Sequence, residues 1–316
     1  MTSPFAPTAI AFARAAAAAT AKNTGMANNG NNARMLQAFR RIVRSRESAR
    51  RFEPHASVPD RAWRDILEMT MTSPSGFNLQ PTHVILLRCP RIKAALSEHA
   101  MLGFGNQYRT KDASAIAVFC ADLEPSKRVD RIFQMERDSG MRPDGYLAVL
   151  RVAASFLTGE GTTASITGGG GGGSSTHLST FLKQTFTQAL SPVQPMPTME
   201  NVESWSYKNA GIVAQTYTMA ATAHGLKTCM MEGYDARRAK EILRVPKRYG
   251  IPLMVATGYG YGEEPVDHED DFLEDGDEFG RRQQERTPRL EMDELFFGDT
   301  FGAPLDFLFD DTAPSE

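Results

Sequence analysis

The sequence of 316 residues predicts an α+β fold, an α/β mixture in which several helices surround a small sheet. Short apolar runs rich in β-branched residues alternate with segments in which apolar residues recur at helical spacing. The segment 207–224 is long and consists mainly of small and apolar residues, which indicates a helix buried at the centre of the molecule. A hydrophobic fraction of 41% with 23% charged residues is typical of a globular chain.

Local patterns place the individual elements. Apolar side chains recur at helical spacing over residues 60–71, and Asp60 stands where it could cap that helix. Gly225 is positioned to end the long central helix, and another helix is predicted over residues 235–244. The predicted strands are residues 82–87, 115–120, 226–231 and 252–258.

The first 35 residues are predicted to lie outside the folded core. No Asp or Glu precedes Glu47, whereas the same stretch holds six arginines among many Ala, Ser and Thr residues. This composition is typical of a mitochondrial presequence. The alternative is a disordered tail on a cytoplasmic protein.

The remaining sequence, residues 36–310, is predicted to form a single domain with two interruptions. A low-complexity insertion is expected at about residues 159–204, which include six consecutive glycines. That tract lacks the preceding strand and the Lys-Ser/Thr ending of a phosphate-binding loop. Residues 263–278 hold ten acids in 16 positions and are expected to form a solvated loop.

Composition excludes several classes of function. A net charge of −3 gives no global electrostatic reason to bind nucleic acid. No run of 18 apolar residues is present, so no transmembrane segment is expected. Cys89, Cys120 and Cys229 are far apart in the sequence and show no metal-ligand spacing, which indicates a reducing compartment and no bound metal.

Two polar segments are candidates for binding chemistry. Arg46, Ser48 and Arg50 belong to a segment that offers guanidinium and hydroxyl donors suited to a phosphate. A solvated basic surface would explain the same residues. Residues 73–81, Ser-Pro-Ser-Gly-Phe-Asn-Leu-Gln-Pro, could recognise the polar edge of a heterocycle, although an ordinary turn would have a similar composition.

In their order, these segments resemble the motifs of the nitroreductase family of FMN-dependent oxidoreductases. The resemblance continues at residues 106–114, 231–235 and 286–288 and covers about residues 36–310. The leader and residues 232–238 are similar to those of the mitochondrial type I nitroreductases of kinetoplastid parasites. The resemblance implies a central mixed sheet in three layers and a homodimer with two flavins at its interface.

The resemblance also implies a role for each matched position. Asn106 and Arg109 would contact the polar edge of the isoalloxazine, and the backbone of Glu232 and Gly233 would lie against the flavin N5 region. The groups implied to hold the FMN phosphate and ribityl chain are Arg46, Ser48, Arg50 and Arg286. The residues implied to contact the same flavin from the partner subunit are Pro74, Ser75, Gly76 and Asn78.

The implied reaction is a ping-pong transfer of two electrons from NADH or NADPH to a quinone or a nitroaromatic compound. The flavin carries this chemistry itself, and accordingly no acid–base or nucleophilic residue is assigned a catalytic role. One alternative is a flavin reductase of the same fold specialised for an enone or a halogenated aromatic. Another is a non-catalytic flavin-binding or interaction protein.

Overall fold

The structure is a computed structural model that describes residues 29–54, 56–140, 142–143, 145–146, 150, 154, 157–160, 185–196, 200–262 and 287–304. It divides into two compact units, Met1–Asp267 and His268–Glu316. Most of the predicted leader, the six-glycine tract, the acidic segment and Arg286 lie outside the described residues. In the second unit, the short helix Met292–Leu295 begins with a capping box formed by Glu291 and Glu294.

The first unit contains a four-stranded sheet surrounded by helices. Its strands are β1 (Thr82–Leu87), β2 (Ala115–Asp122), β3 (Lys227–Met231) and β4 (Tyr249–Gly258). Its helices are α1 (Asn29–Ser45), α2 (Asp60–Met71), α3 (Pro90–His99), α4 (Phe104–Asp112), α5 (Val129–Ser139), α6 (Val202–Ala223) and α7 (Ala236–Leu243).

The strands follow the order β1-β2-β4-β3 and all of these neighbours pair antiparallel. This corrects the mixed sheet implied by the family resemblance for the strands that the structure describes. A parallel contact appears instead as an isolated bridge between Ser48 and Thr228. The α3–α4 pair connects β1 to β2, and α7 connects β3 to β4; each connection returns the chain antiparallel beside the strand that precedes it.

Strand β2 shows that the first unit has three layers. All eight of its residues are buried, and successive side chains point to opposite faces of the sheet. Ile116 and Val118 pack in a core with residues of α3 and α7, while Ala117 and Phe119 pack in a second core with residues of α2 and α6. The Phe119 ring meets that of Tyr217 edge-to-face, with their centroids 5.7 Å apart. The α+β arrangement of a sheet between helical layers is confirmed.

Helix α6 begins five residues earlier than the sequence pattern predicts. The Asn201 side chain caps it by accepting a hydrogen bond from the Ser204 backbone at 2.7 Å. At its other end Gly225 has a φ of +69°, and Leu226 N donates to Ala221 O at 3.0 Å. This left-handed turn confirms the predicted role of Gly225, because a side chain is disfavoured in that conformation.

The start of α2 differs from the prediction, and the start of α1 lies before the predicted domain boundary. Asp60 does not cap α2: the N-cap is Pro59, and Asp60 is the first helical residue and pairs with Arg88 at 2.6 Å. A carboxylate in the first turn still interacts favourably with the helix dipole. Helix α1 begins at Asn29, so the predicted boundary between leader and domain at residue 35 falls inside a helix.

The carboxylate of Asp122, at the end of β2, is fully buried where several segments meet. Arg248 Nε donates to its Oδ1 at 2.6 Å. The Asp122 backbone N–H donates to Pro81 O at 2.8 Å, and Ser206 Oγ donates to the Asp122 carbonyl at 2.6 Å. The cluster therefore ties the end of residues 73–81 to β2, α6 and the start of β4.

Within the described part of the chain, no helix is long and apolar enough to cross a membrane.

Candidate functional site

The predicted phosphate-binding segment forms a loop fastened to the edge strand β3. Ala49 N donates to Thr228 O at 2.9 Å, and the side chain of Lys227 pairs with Glu47 at 2.8 Å. Arg46 is half-buried, with its Nη1 3.5 Å from Ser48 Oγ, whereas Ser48 and Arg50 are exposed. Guanidinium and hydroxyl donors are thus presented together from one ordered loop.

Arg109 of α4 connects this loop to the next predicted motif. Its Nε donates to Ala49 O at 3.0 Å and its Nη1 donates to Asn106 Oδ1 at 3.3 Å. The Asn106 Nδ2 in turn donates to Gly233 O at 3.2 Å. Three motifs, of which the first and last are 184 residues apart from Ala49 to Gly233, therefore form one continuous hydrogen-bonded chain.

The Glu232–Gly233 turn lies directly against the start of α4. Gly233 O also accepts a hydrogen bond from Leu102 N at 2.9 Å. A Cβ at position 233 would lie 2.8 Å from Asn106 Nδ2, so a larger residue would displace that amide. Glu232 is exposed beside this turn. The Asn106 amide and the Gly233 backbone, both half-buried, are consequently packed together beside the end of β3.

The electrostatics of this region are cationic. Burial raises the pKa of the Cys229 thiol on β3, and the charges of Arg109 and Arg46 oppose that increase. Both guanidinium groups therefore act on the same strand. Arg109 uses two of its five N–H donors for Ala49 and Asn106, which leaves donors suited to an anionic or carbonyl oxygen.

Residues 73–81 lie in a different place, against α5 and α6. Gly76 N donates to Asn209 Oδ1 at 3.0 Å, and a Cβ at position 76 would lie 2.8 Å from the Trp205 ring. Ser75 Oγ accepts from the Gln80 backbone at 3.0 Å, and Pro74 is exposed. The contacts of this loop are thus with the long central helix rather than with the arginine-containing loop.

The backbone of the same loop is strained. Phe77, Asn78 and Gln80 have φ values of 55°, 55° and 47° in the left-handed region. Such conformations are unfavourable for non-glycine residues, above all for an aromatic one, and are concentrated at functional sites. Asn78 Nδ2 donates to Glu136 Oε1 of α5 at 3.1 Å, and Leu79 is fully buried. The loop is therefore held in one conformation by its surroundings.

An open groove of about 390 Å³ lies between α1 and α6. Arg46 lines it, which places the groove next to the hydrogen-bonded chain described above. The other lining residues are Phe39, Val43, Gln215, Thr216 and Met219.

The structure thus unites some predicted site residues and separates others. It joins the segments of Arg46, Ser48 and Arg50 with Asn106, Arg109 and the Glu232–Gly233 turn. It places Pro74, Ser75, Gly76 and Asn78 together on α5 and α6. Arg286 lies outside the described residues, and no group of three His, Cys, Asp or Glu side chains among those described could hold a metal ion.

Asn209 and Glu136 are among the residues that hold the 73–81 loop and that sequence reasoning missed. Asn209 is a buried amide within a helix of small and apolar residues, and that contrast could have marked it. Glu136 lies on α5 among other charged residues, most of which are exposed, so its sequence context carries no such signal.

The sequence matches the Nitroreductase family over residues 43–153 and 185–259. The chain therefore belongs to the nitroreductase family, a family of oxidoreductases, and the predicted family is confirmed. The match omits residues 154–184, which contain the glycine tract, and ends before the acidic segment.

Individual relatives agree with this assignment. The chain is 28% identical over 214 residues to an NADH dehydrogenase of Thermus thermophilus, a match that covers 68% of this chain and 82% of the relative. It is 27% identical to a 4-nitrobenzoate reductase of a Nocardioides species, over 77% of this chain and 93% of the relative. Its fold is similar to that of a solved nitroreductase family protein of Streptococcus pneumoniae, with a TM-score of 0.50 and 18% identity over 82% and 98% of the two chains.

Proposed function

We propose that this protein is an FMN-dependent oxidoreductase that transfers two electrons by a ping-pong mechanism from NADH or NADPH to a quinone or a nitroaromatic compound. The observation that carries the proposal is the continuous chain from Ala49 through Arg109 and Asn106 to Gly233. It connects the loop that carries Arg46, Ser48 and Arg50 to Asn106 and the Glu232–Gly233 turn, which supports a phosphate and a ring bound side by side. Family membership and the names of the relatives described above support the same activity.

The residues present fit FMN. Arg46, Ser48 and Arg50 provide charge-assisted donors for a dianionic phosphate, and Arg286 would add a fourth group from outside the described residues. Asn106 and Arg109 provide N–H donors for the carbonyl edge of the ring. The glycine at position 233 keeps the backbone accessible beside Asn106.

When bound, FMN would accept a hydride from reduced nicotinamide and deliver two electrons to the acceptor. The protein's own contribution is to bind and orient the ring and to hold its polar edge with Asn106 and Arg109. No protein residue is required to exchange a proton for this assignment. The site therefore has no need for an acid–base dyad.

The active form in this proposal is a homodimer that shares each flavin site between two chains. The loop containing Pro74, Ser75, Gly76 and Asn78 lies on α5 and α6, whereas the arginine-containing loop lies on β3. A two-fold arrangement would let the loop of one chain complete the site of the other. Large apolar side chains that remain exposed on α1 support an interface there: Met35, Leu36, Phe39 and Val43.

Acceptor identity distinguishes this proposal from its alternatives. The name of the Nocardioides relative, a 4-nitrobenzoate reductase, favours a nitroaromatic acceptor. A reductase of the same fold that prefers an enone or a halogenated aromatic would bind FMN but be slow with quinones and nitro compounds. A non-catalytic binding protein would bind FMN without turnover.

We further propose that the protein functions in the mitochondrion. The support is the acid-free, arginine-containing leader, whose composition favours import along a negative-inside membrane potential. A cytoplasmic location is the alternative.

The deciding experiment is purification of the full chain followed by an acceptor panel. We expect a yellow protein with bound FMN that oxidises NADH or NADPH when a quinone or 4-nitrobenzoate is supplied. The control is the Arg46→Ala/Arg50→Ala variant, which should lose flavin while remaining folded by circular dichroism. A colourless, inactive wild-type protein that does not take up added FMN would refute the proposal, and a yellow protein without turnover would favour the binding alternative.

A further inference from the structure

The Glu136 carboxylate is buried and only half satisfied. Glu136 lies on α5 beneath residues 73–81 and is 7% exposed. Oε1 accepts a hydrogen bond from Asn78 Nδ2 at 3.1 Å. Oε2 has no hydrogen-bond partner among the residues that the structure describes. Burying a carboxylate in this state costs stability, because water has been removed from an oxygen that receives nothing in return.

The hydrogen bond from Asn78 to Glu136 does not offset this cost, because the Asn78 amide does not need Glu136 as its acceptor. Asn78 is exposed, so water could solvate its amide if Glu136 were absent. Ile132, one turn before Glu136 on α5, and Leu79, which follows Asn78, pack in an apolar cluster with Trp205. A leucine at position 136 would fit that environment better than a carboxylate. Polar groups that break a packing rule in this way are expected at functional sites.

The backbone of the loop is already fixed by contacts that do not involve Glu136. Asn209 holds Gly76 N, Ser75 Oγ accepts from Gln80 N, and the Gln80 carbonyl accepts from Arg128. What Glu136 adds is control of the Asn78 side chain. Gln80 Nε2 donates to Asn78 Oδ1 at 3.3 Å from the opposite side, so both ends of the amide are defined.

A carboxylate is suited to this task because it can only accept hydrogen bonds. It forces the NH₂ end of the Asn78 amide towards α5 and rejects the flipped orientation, in which two acceptors would face each other. A glutamine at the same position could pair with either orientation. The identity of residue 136 therefore determines which atom Asn78 presents on the opposite side.

We propose that Glu136 is a positioning residue for the loop of residues 73–81. Its carboxylate orients the Asn78 amide towards the flavin. This inference rests on the proposed function, since it assumes that Asn78 contacts bound FMN. It assigns Glu136 no contact with flavin, nicotinamide or acceptor, and its effect passes through Asn78.

The test compares full-chain holoenzymes by FMN release after dilution, followed by flavin fluorescence, and by the absorption spectrum of bound flavin. We expect Glu136→Leu to release FMN about tenfold faster and to shift the flavin absorption bands. Glu136→Gln should show a smaller change of about threefold, because it preserves the hydrogen bond and loses only the choice of orientation. Asp138→Leu, an exposed carboxylate on the same helix, is the matched control and should match the wild type.

A double-mutant cycle separates positioning from a structural role. In an Asn78→Ala background, Glu136→Leu should change the release rate less than twofold, because the residue on which it acts is gone. A full tenfold effect in that background would overturn the inference, as would a wild-type release rate and spectrum in Glu136→Leu. If the wild-type protein binds no FMN at all, the proposed function itself fails, and this inference fails with it.

Discussion

Replacement of Arg109 by lysine tests the connection between the arginine-containing loop and α4. Arg109 contacts Ala49 O at 3.0 Å and Asn106 Oδ1 at 3.3 Å through two nitrogens of one rigid guanidinium group. A lysine retains the positive charge, but its ammonium is a compact donor that cannot reproduce this forked geometry. The variant therefore removes the connection and keeps the charge.

The expected magnitude follows from the loss of one of the two contacts. A hydrogen bond to a charged group contributes about 1.5–3 kcal/mol. If lysine retains one contact and loses the other, the arginine-containing loop and α4 are no longer held together in the free protein. FMN binding must then supply the free energy that orders them, which lowers the affinity. At about 1.4 kcal/mol per tenfold change in affinity, FMN binding should weaken by roughly 10- to 100-fold.

The assay is fluorescence titration of the flavin-depleted protein with FMN, after circular dichroism has shown that each variant is folded. The control is Arg237→Lys on α7, where an arginine that is 74% exposed forms an (i, i+4) pair with Glu241. Such exposed pairs contribute little, so this variant should bind FMN as the wild type does. An Arg109→Lys affinity within threefold of the wild type would refute the reasoning, because the connection would then be irrelevant to the site.

Three further predictions address the dimer, the leader and the pH dependence of stability. Refolding an inactive Arg46→Ala variant together with an inactive Ser75→Trp variant should restore about a quarter of the flavin sites. The reason is that about half of the dimers are mixed, and each mixed dimer has one intact site. If the mixture forms folded dimers but recovers no flavin sites, each flavin is bound within one chain. Deleting residues 1–28, which precede α1, should leave FMN content and turnover unchanged and abolish mitochondrial import, and import of the truncated chain would contradict the presequence. Burial raises the pKa of the Glu160 carboxyl, so the folded state binds its proton more tightly than the unfolded state does and stability falls as the pH rises through this pKa. Glutamine at position 160 cannot ionise. The difference in melting temperature, Glu160→Gln minus wild type, should therefore be larger at pH 7 than at pH 4. The opposite trend would show that ionisation of Glu160 does not lower the stability.

Local sequence patterns predicted the bounds of those elements whose residue composition differs clearly from that of the flanking segments. The predicted bounds of β1 and α2 coincide with the structure, because a clear change of composition marks both ends of each. The start of α6 was misplaced because its first turn is polar, and a cap from Asn201 rather than apolar periodicity defines it. The orientation of the strands was also missed, since local hydrophobicity contains no information about which direction a neighbouring strand runs.

The sequence suggests which residues form the candidate site, and their roles stay predictions, but it does not show how these residues are connected. The family motifs identified Arg109, Asn106 and Gly233, yet nothing in their spacing shows that one hydrogen-bonded chain unites them. Glu136 could not be identified from sequence, because its burial depends on a loop 58 residues earlier in the chain. Such residues become visible only when the partners are seen together.

The cluster around Asp122 has a consequence for how this protein assembles. Its buried carboxylate is satisfied by Arg248, which lies 126 residues further along the chain, and the same residue also binds segments at positions 81 and 206. In a folding intermediate that lacks any of these segments, a buried charge or a backbone group has no partner. The free energy of such an intermediate is therefore raised. Intermediates are thereby disfavoured, so the sheet and the loop of residues 73–81 should unfold in a single transition rather than in separate steps.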